Sequence, residues 1–163
     1  MLPEIPEQYT LPAVRPDWDR LLVNWQPLLP PHCSPWFLTK FGEIFFCHGD
    51  GKIGMLQVSG FQYKVVAKDK TDFQEWLVGP VKMTEWFLAP LVQRLESTGK
   101  LLQPEHCYSF VMPLGLGGQL AVENVMAIPV REHFRCWGGV FRQLRDIPDG
   151  GQVVLKVERE RTE

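Results

Sequence analysis

The chain has 163 residues, of which 45% are hydrophobic and 22% are charged, and its formal net charge is -2. This length is enough for one domain with a core that needs no disulfide or metal to hold it together. The balanced charge gives no support for nucleic-acid binding or for a polybasic membrane surface, and no apolar run reaches the roughly 18 residues that a membrane helix needs.

The beginning of the chain and its cysteines indicate a cytoplasmic protein. The N-terminal sequence MLPEIPEQYTLP is acidic and interrupted by prolines, unlike a secretory signal peptide. No pair of cysteines has the CxxC spacing, and this scatter favours reduced thiols over a disulfide framework. The four cysteines are Cys33, Cys47, Cys107 and Cys136.

Proline dominates the first part of the chain, where eight of the fourteen prolines lie within 35 residues. The segment from Trp18 to Gln26 places Trp18, Leu21, Leu22 and Trp25 at helical spacing. We therefore expect residues 1–40 to form an arm that carries one short helix and packs on a body formed by residues 41–157. Residues 158–163 form a charged tail.

The body begins with an alternating pattern that predicts an antiparallel meander. The sequence Gly49 to Gly51, GDG, is a strong hairpin turn, and Ser59-Gly60 is a second turn. These turns separate three predicted strands, at Glu43 to His48, Ile53 to Val58, and Gln62 to Ala67.

Beyond Lys70 the apolar period lengthens to that of a helix. Asp69 or Thr71 is suited to cap a short helix whose buried face carries Phe73, Trp76 and Leu77. A longer helix is predicted from about Met83 to Glu96. Pro90 should kink or split that helix, and Gly99 should end it.

The last part of the body is predicted to contain three strands and one helix. The strands are expected near Cys107 to Met112, Leu120 to Ile128 and Gln152 to Val157. The helix carries one apolar face, formed by Phe134, Trp137, Val140, Phe141 and Leu144. Together these elements predict a single α+β domain with a mostly antiparallel sheet covered by helices.

The stretch from Phe110 to Val125, FVMPLGLGGQLAVENV, contains three glycines, at Gly115, Gly117 and Gly118. A phosphate-binding loop needs backbone N–H groups at a helix start, often with a lysine nearby, and this spacing fits neither common nucleotide fingerprint. The glycines therefore predict a structural turn.

The sequence predicts no metal and no cofactor. Each cysteine has a histidine close by, as in His32-Cys33, Cys47-His48, His106-Cys107, and His133 with Cys136. Adjacent residues in a strand point to opposite faces, so only His133 and Cys136 share a face, which is too few ligands for zinc. Cys107 with His106 remains the best candidate for a nucleophile and base, and a small Cys/His hydrolase is therefore an alternative function.

Five sequence blocks resemble the immunity proteins of bacterial type VI secretion toxins, in particular those that join a GAD-like N-terminal region to a C-terminal immunity domain. The blocks run in order from Pro35 to Phe46 (PWFLTKFGEIFF), Asp50 to Leu56 (DGKIGML), Cys107 to Gly118 (CYSFVMPLGLGG), Glu123 to Val125 (ENV) and Arg131 to Gly150 (REHFRCWGGVFRQLRDIPDG). The resemblance implies a catalytically inert protein that binds a cognate effector toxin and blocks its active site. The resemblance also implies that the toxin is a nuclease or another enzyme that acts in the cytosol.

A tight inhibitor needs a few desolvated aromatic or charged anchors. We expect toxin contacts at the hairpin tip with His48 and Asp50, at Asp72 and Glu75, and at Trp86, because one of the neighbours Trp86 and Phe87 should face outward. The expected complex is one-to-one, with no nucleic acid, membrane or small-molecule substrate. An interaction scaffold that does not depend on a toxin is a third possibility.

Overall fold

The computed structural model describes residues 5–12 and 17–148 of the chain. The predicted last strand, Gln152 to Val157, and the charged tail lie outside the described residues. The described elements form an α+β fold, which confirms the predicted fold class. No helix within the described ranges has both the length and the apolar character to cross a membrane.

A four-stranded antiparallel sheet runs in chain order, β1-β2-β3-β4. The strands are β1 (Cys33–Leu38), β2 (Ile44–His48), β3 (Ile53–Gln57) and β4 (Gln62–Ala67). The last three strands and both of their turns confirm the predicted meander. The first strand was not predicted, and it lies within the range assigned to the arm. The division into arm, body and tail stays a prediction.

A second sheet has two antiparallel strands, β5 (His106–Phe110) and β6 (Val125–Pro129). Where the sequence predicted a helix from about Met83 to Glu96 that Pro90 kinks or splits, the structure has two short helices separated by a break. The helices of the fold are α1 (Trp18–Leu21), α2 (Lys70–Trp76), α3 (Pro80–Phe87), α4 (Ala89–Ser97) and α5 (Val130–Leu144).

The starts and stops of the helices follow local chemistry. Asp69 caps α2, because its Oδ1 accepts a hydrogen bond of 2.7 Å from the backbone N–H of Asp72. The predicted split of the long helix is confirmed, but the break lies at Leu88, whose φ of 53° is left-handed. Pro90 instead lies in the first turn of α4. Backbone N–H groups in the first turn have no acceptor within the helix, so proline loses no helical hydrogen bond there.

Apolar side chains cover both faces of the four-stranded sheet. On one face, α2, α3 and α4 pack over Phe37, Phe45 and Met55. On the other face, α1 and α5 pack over Ile44 and Leu56. Because both faces are covered, three of the five residues of β2 and four of the five residues of β3 are buried.

Three buried polar side chains connect α5 to β5 and to the turn before β2. Trp137 Nε1 donates to Ser109 Oγ at 2.9 Å, and Ser109 donates in turn to His133 Nδ1 at 2.8 Å. His133 Nε2 donates to the Gly42 carbonyl at 3.2 Å. Burial lowers the pKa of His133 to about 4, so the imidazole is neutral and both ring nitrogens are used.

Glu43, which follows Gly42 in the chain, is a further buried ionisable group of this region. Its Oε1 accepts a 2.6 Å hydrogen bond from Ser59 Oγ, and its Oε2 accepts from the backbone N–H of Val58. Burial raises the pKa of Glu43 to about 7, although these hydrogen bonds oppose the rise.

Candidate partner-binding surface

An open depression on the surface brings together two segments that the sequence predicted to bind a partner. The tip of the β2–β3 hairpin forms one wall and the beginning of α2 forms the other. The lining residues are Cys47, His48, Gly49, Gly51, Asp69, Lys70 and Thr71. The fold therefore makes the hairpin tip and α2 parts of one surface.

His48 is held in place by a tyrosine that the sequence did not single out. Its Nε2 is hydrogen-bonded to the hydroxyl of Tyr63 on β4, and the two ring centroids are 5.8 Å apart. Burial raises the pKa of Tyr63, so the phenol keeps its proton at neutral pH and remains able to form this hydrogen bond.

Gly54 makes this hydrogen bond possible. It lies on β3 between the two partners, and a Cβ at this position would lie 1.8 Å from the Tyr63 hydroxyl oxygen and 2.7 Å from His48 Nε2. Any larger residue would occupy the space in which the two side chains meet. The His48 ring on β2 is therefore oriented by one residue from β3 and one from β4.

Asp50 lies at the exposed tip of the hairpin. Its Oδ1 accepts a 3.1 Å hydrogen bond from the backbone N–H of Lys52, and its Oδ2 lies 3.1 Å from Lys52 Nζ. The backbone hydrogen bond, followed by the side-chain contact with Lys52, lowers the pKa of Asp50. The hairpin tip therefore presents a charged carboxylate to solvent at neutral pH.

The two acidic residues on α2 differ in what they contact. Asp72 accepts a 2.9 Å hydrogen bond from the backbone N–H of Lys68, so its carboxylate helps to fix the entry into the helix. Glu75 is exposed, and it belongs to no ion pair identified within residues 5–12 and 17–148. Glu75 is thus the α2 carboxylate that remains available to a partner.

The expectation that Trp86 or Phe87 faces outward is wrong. Trp86 is 2% exposed and stacks on Phe73 with ring centroids 5.4 Å apart, while Phe87 is fully buried against Phe45. Trp86 and Phe87 can both be buried because α3 packs against α2 on one side and against the sheet on another. More than one face of this helix is therefore covered. Trp86 therefore offers no surface to a partner in this fold.

Trp76 is the exposed aromatic residue of this region. It was predicted to lie in the core with Phe73, yet 48% of it is exposed at the end of α2. Lys82 Nζ lies 5.3 Å from the centroid of the Trp76 ring, a cation–π distance. The sequence signal for Trp76 was ambiguous because spacing of three along a helix also fits the edge of an apolar face.

The candidate nucleophile and base do not form a catalytic pair. Cys107 is fully buried, and this burial raises the pKa of its thiol. The Nδ1 of His106 is 2.9 Å from the Pro104 carbonyl, to which it donates. Within the described ranges, no group of three or more His, Cys, Asp or Glu side chains is arranged to hold a metal ion.

The glycine loop, residues 113–120, is a closed turn held by Asn124. The Asn124 side-chain amide donates to the carbonyls of Met112 and Gln119, both at 2.9 Å, and its Oδ1 accepts from Met112 N–H at 2.8 Å. The backbone N–H of Gly115 donates to the backbone carbonyl of Ser59. A Cβ on Gly118 would lie 1.8 Å from the Met112 carbonyl oxygen, so the closure requires glycine there.

Comparison with known families supports an interaction role. Residues 67–139 match the family described as T6SS immunity protein Tdi1, C-terminal. This range contains α2, α3, α4, β5 and β6. The match supports the interpretation that the chain is a type VI secretion immunity protein. It does not include the N-terminal part of the chain, where the GAD-like region stays a prediction.

The comparison with solved structures concerns the fold alone. The crystal structure of Atu4351 from Agrobacterium tumefaciens is similar with a TM-score of 0.53 and 15% sequence identity, covering 81% of this chain and 67% of that chain. No curated protein matches the sequence.

Proposed function

We propose that this protein binds a cognate type VI secretion toxin in the cytoplasm and neutralises it by covering the toxin's active site. The observation that carries the proposal is the family match over residues 67–139. The toxin is an enzyme that acts in the cytosol, for which a nuclease is the leading candidate. The protein acts by binding in a one-to-one complex and makes or breaks no bond itself.

The proposed contact area is the hairpin–helix surface, defined as His48, Asp50, Glu75 and Trp76. The depression between the hairpin tip and α2 supports this choice, because it joins two exposed segments of the fold. Asp72 contributes by fixing the start of α2. Trp76 takes the anchoring role first assigned to Trp86, because a half-exposed aromatic ring can be buried further when a partner binds.

The chemistry of the surface suits the active site of an enzyme that acts on phosphate esters. Asp50 and Glu75 supply carboxylates that pair with basic groups of the toxin and take the place of substrate phosphate. Opposite charges on the two proteins also accelerate the encounter. The Tyr63 hydrogen bond orients His48 before the partner arrives, which lowers the entropy cost of binding.

Co-expression tests the proposal. The toxin gene from the same locus is induced in cells with and without this protein, and survival is counted. Wild-type protein should restore survival, whereas Glu75→Lys and Trp76→Ala should reduce protection. Asp146→Lys is the matched control, because Asp146 lies beyond α5 and its side chain is 84% exposed.

Two outcomes would contradict parts of the proposal. If wild-type protein leaves the toxin equally lethal, the immunity function is wrong. If wild type protects, and Glu75→Lys and Trp76→Ala protect as well as Asp146→Lys, the immunity function stands and the hairpin–helix surface is not the contact area.

A further inference from the structure

A second surface feature lies where α3 meets α4. We name it the α3–α4 groove, and its lining residues are Thr84, Leu88, Pro90, Leu91, Arg94 and Leu120. The groove exists because the chain leaves α3 at Leu88 with a left-handed φ of 53° and begins α4 in a new direction. The glycine loop supplies the opposite wall through Leu120.

The lining is mainly apolar and reaches well into solvent. Leu120 is 56% exposed, although exposed leucine side chains favour burial by about 25 cal/mol per Å². Val81, which is 70% exposed, lies three residues before Thr84 and therefore next to it on the surface of α3. The apolar surface thus continues from the groove along α3, as in protein interfaces.

The wall formed by Leu120 is rigid. Asn124 ties Gln119, the residue before Leu120, to Met112 through two hydrogen bonds of 2.9 Å. A loop backbone held in this way loses little conformational freedom when a partner covers it. This preorganisation distinguishes Leu120 from a leucine on a loose loop.

One cation defines the chemistry of the occupant. Arg94 lines the groove, is exposed, and belongs to no ion pair identified in the described part of the chain. A nucleic acid would require several cations in a row, whereas this groove offers one cation among apolar side chains. The occupant that fits this groove is a protein segment in which an apolar side chain and a carboxylate are neighbours in the sequence.

We propose that the α3–α4 groove binds such an apolar, acidic segment of the effector toxin, as a contact separate from the hairpin–helix surface. This inference rests on the proposed immunity function, which supplies the partner. The apolar side chain of the segment packs between Leu88, Pro90 and Leu120, and its carboxylate pairs with the Arg94 guanidinium. Two separate contacts would hold the toxin in one orientation.

Binding measurements with the full chain test the inference. Effector made by cell-free synthesis is titrated with wild type, Leu120→Asp, Arg94→Glu and the control Leu101→Asp. Leu101 is 68% exposed and follows the opposite end of α4, so it matches Leu120 in type and exposure. We expect each groove variant to raise the dissociation constant at least about tenfold, the range of an interface anchor, and the control to change it less than about twofold.

Photo-crosslinking identifies the occupant directly. Benzoylphenylalanine in place of Leu120 should crosslink to the effector, and the same group in place of Leu101 should not. Thermal unfolding of every variant verifies that it is folded.

Several results would overturn the inference. These are unchanged affinity of both groove variants, or crosslinking from position 120 to a second copy of the chain or to its own residues 149–163. In each case wild-type binding of the effector would leave the immunity function intact. If wild type itself does not bind the effector, both the function and the groove assignment fail.

Discussion

Two buried groups, Glu43 and His133, should give the protein opposite pH dependences that nearly cancel. Burial raises the pKa of Glu43 from 4.5 to about 7 and lowers the pKa of His133 from 6.5 to about 4. Each shift is a difference between the folded and unfolded proteins, so each changes the free energy of unfolding with pH.

The signs follow from which state binds more protons. Glu43 contributes stability that is complete below pH 4.5 and is lost as the pH rises through 7, roughly 2–3 kcal/mol between pH 5 and pH 8 at 1.36 kcal/mol per pKa unit. His133 contributes stability that is complete above pH 6.5 and is lost as the pH falls towards 4, about 2 kcal/mol between pH 8 and pH 5. The two contributions oppose each other over the whole interval.

The substitution Glu43→Gln removes the pH-dependent contribution of Glu43 and leaves that of His133. Glutamine has nearly the shape of protonated glutamate, and its amide group can accept from the Val58 N–H and donate to the Ser59 hydroxyl. The stability of the variant relative to wild type should therefore rise by roughly 2–3 kcal/mol between pH 5 and pH 8. Urea unfolding at several pH values, followed by tryptophan fluorescence, measures this difference.

Glu75→Gln makes the same replacement on an exposed face of α2 and is the matched control. A difference between Glu43→Gln and wild type that stays constant within about 0.5 kcal/mol over this interval would refute the reasoning from burial.

Four further substitutions test the contacts that shape the two surfaces. Gly54→Ala should lower stability by about 1–3 kcal/mol through overpacking against Tyr63, as measured by thermal unfolding. Tyr63→Phe should cost only about 1 kcal/mol of stability, for one lost hydrogen bond, yet weaken effector binding in calorimetry because His48 is no longer oriented. Cys107→Ala should cost about 1–2 kcal/mol for lost buried volume and leave toxin protection unchanged, whereas loss of protection in a stable variant would favour the hydrolase alternative. Asn124→Ala should open the glycine loop, which faster amide exchange at Gly118 would report; unchanged exchange would contradict the clamp.

The elements predicted well are those whose chemistry is local. The sequences GDG and SG specify their turns, and they gave the correct meander from β2 to β4. The first strand was missed because its evidence is not local. Pro35 argues against a central strand, but β1 is at the sheet edge and has an irregularity between Pro35 and Phe37, where proline is tolerated.

The site could be predicted only in part for the same reason. A turn sequence predicts that Asp50 is exposed, because a hairpin tip needs no tertiary contact to reach solvent. The same turn sequence cannot reveal that Tyr63, fifteen residues after His48, passes over Gly54 and forms a hydrogen bond with His48. Periodicity likewise assumes one buried face per helix, and it failed at Trp86 because α3 packs against two neighbours.

Three reactive side chains of this fold lie in the core or take part in contacts within the protein. Both ring nitrogens of His133 are bonded internally, the Cys107 thiol is buried, and the Asp72 carboxylate fixes a helix start. A general base or nucleophile needs an unshared atom within reach of substrate, and the buried His133 and Cys107 have none to offer. Exposed side chains such as Glu75 and Arg94 instead lie on the outer surface, where a second macromolecule can cover them. Both of these residues fall within the range 67–139 that matches an immunity family, so a partner that contacts α2 and the α3–α4 groove would bind through the matched part of the chain.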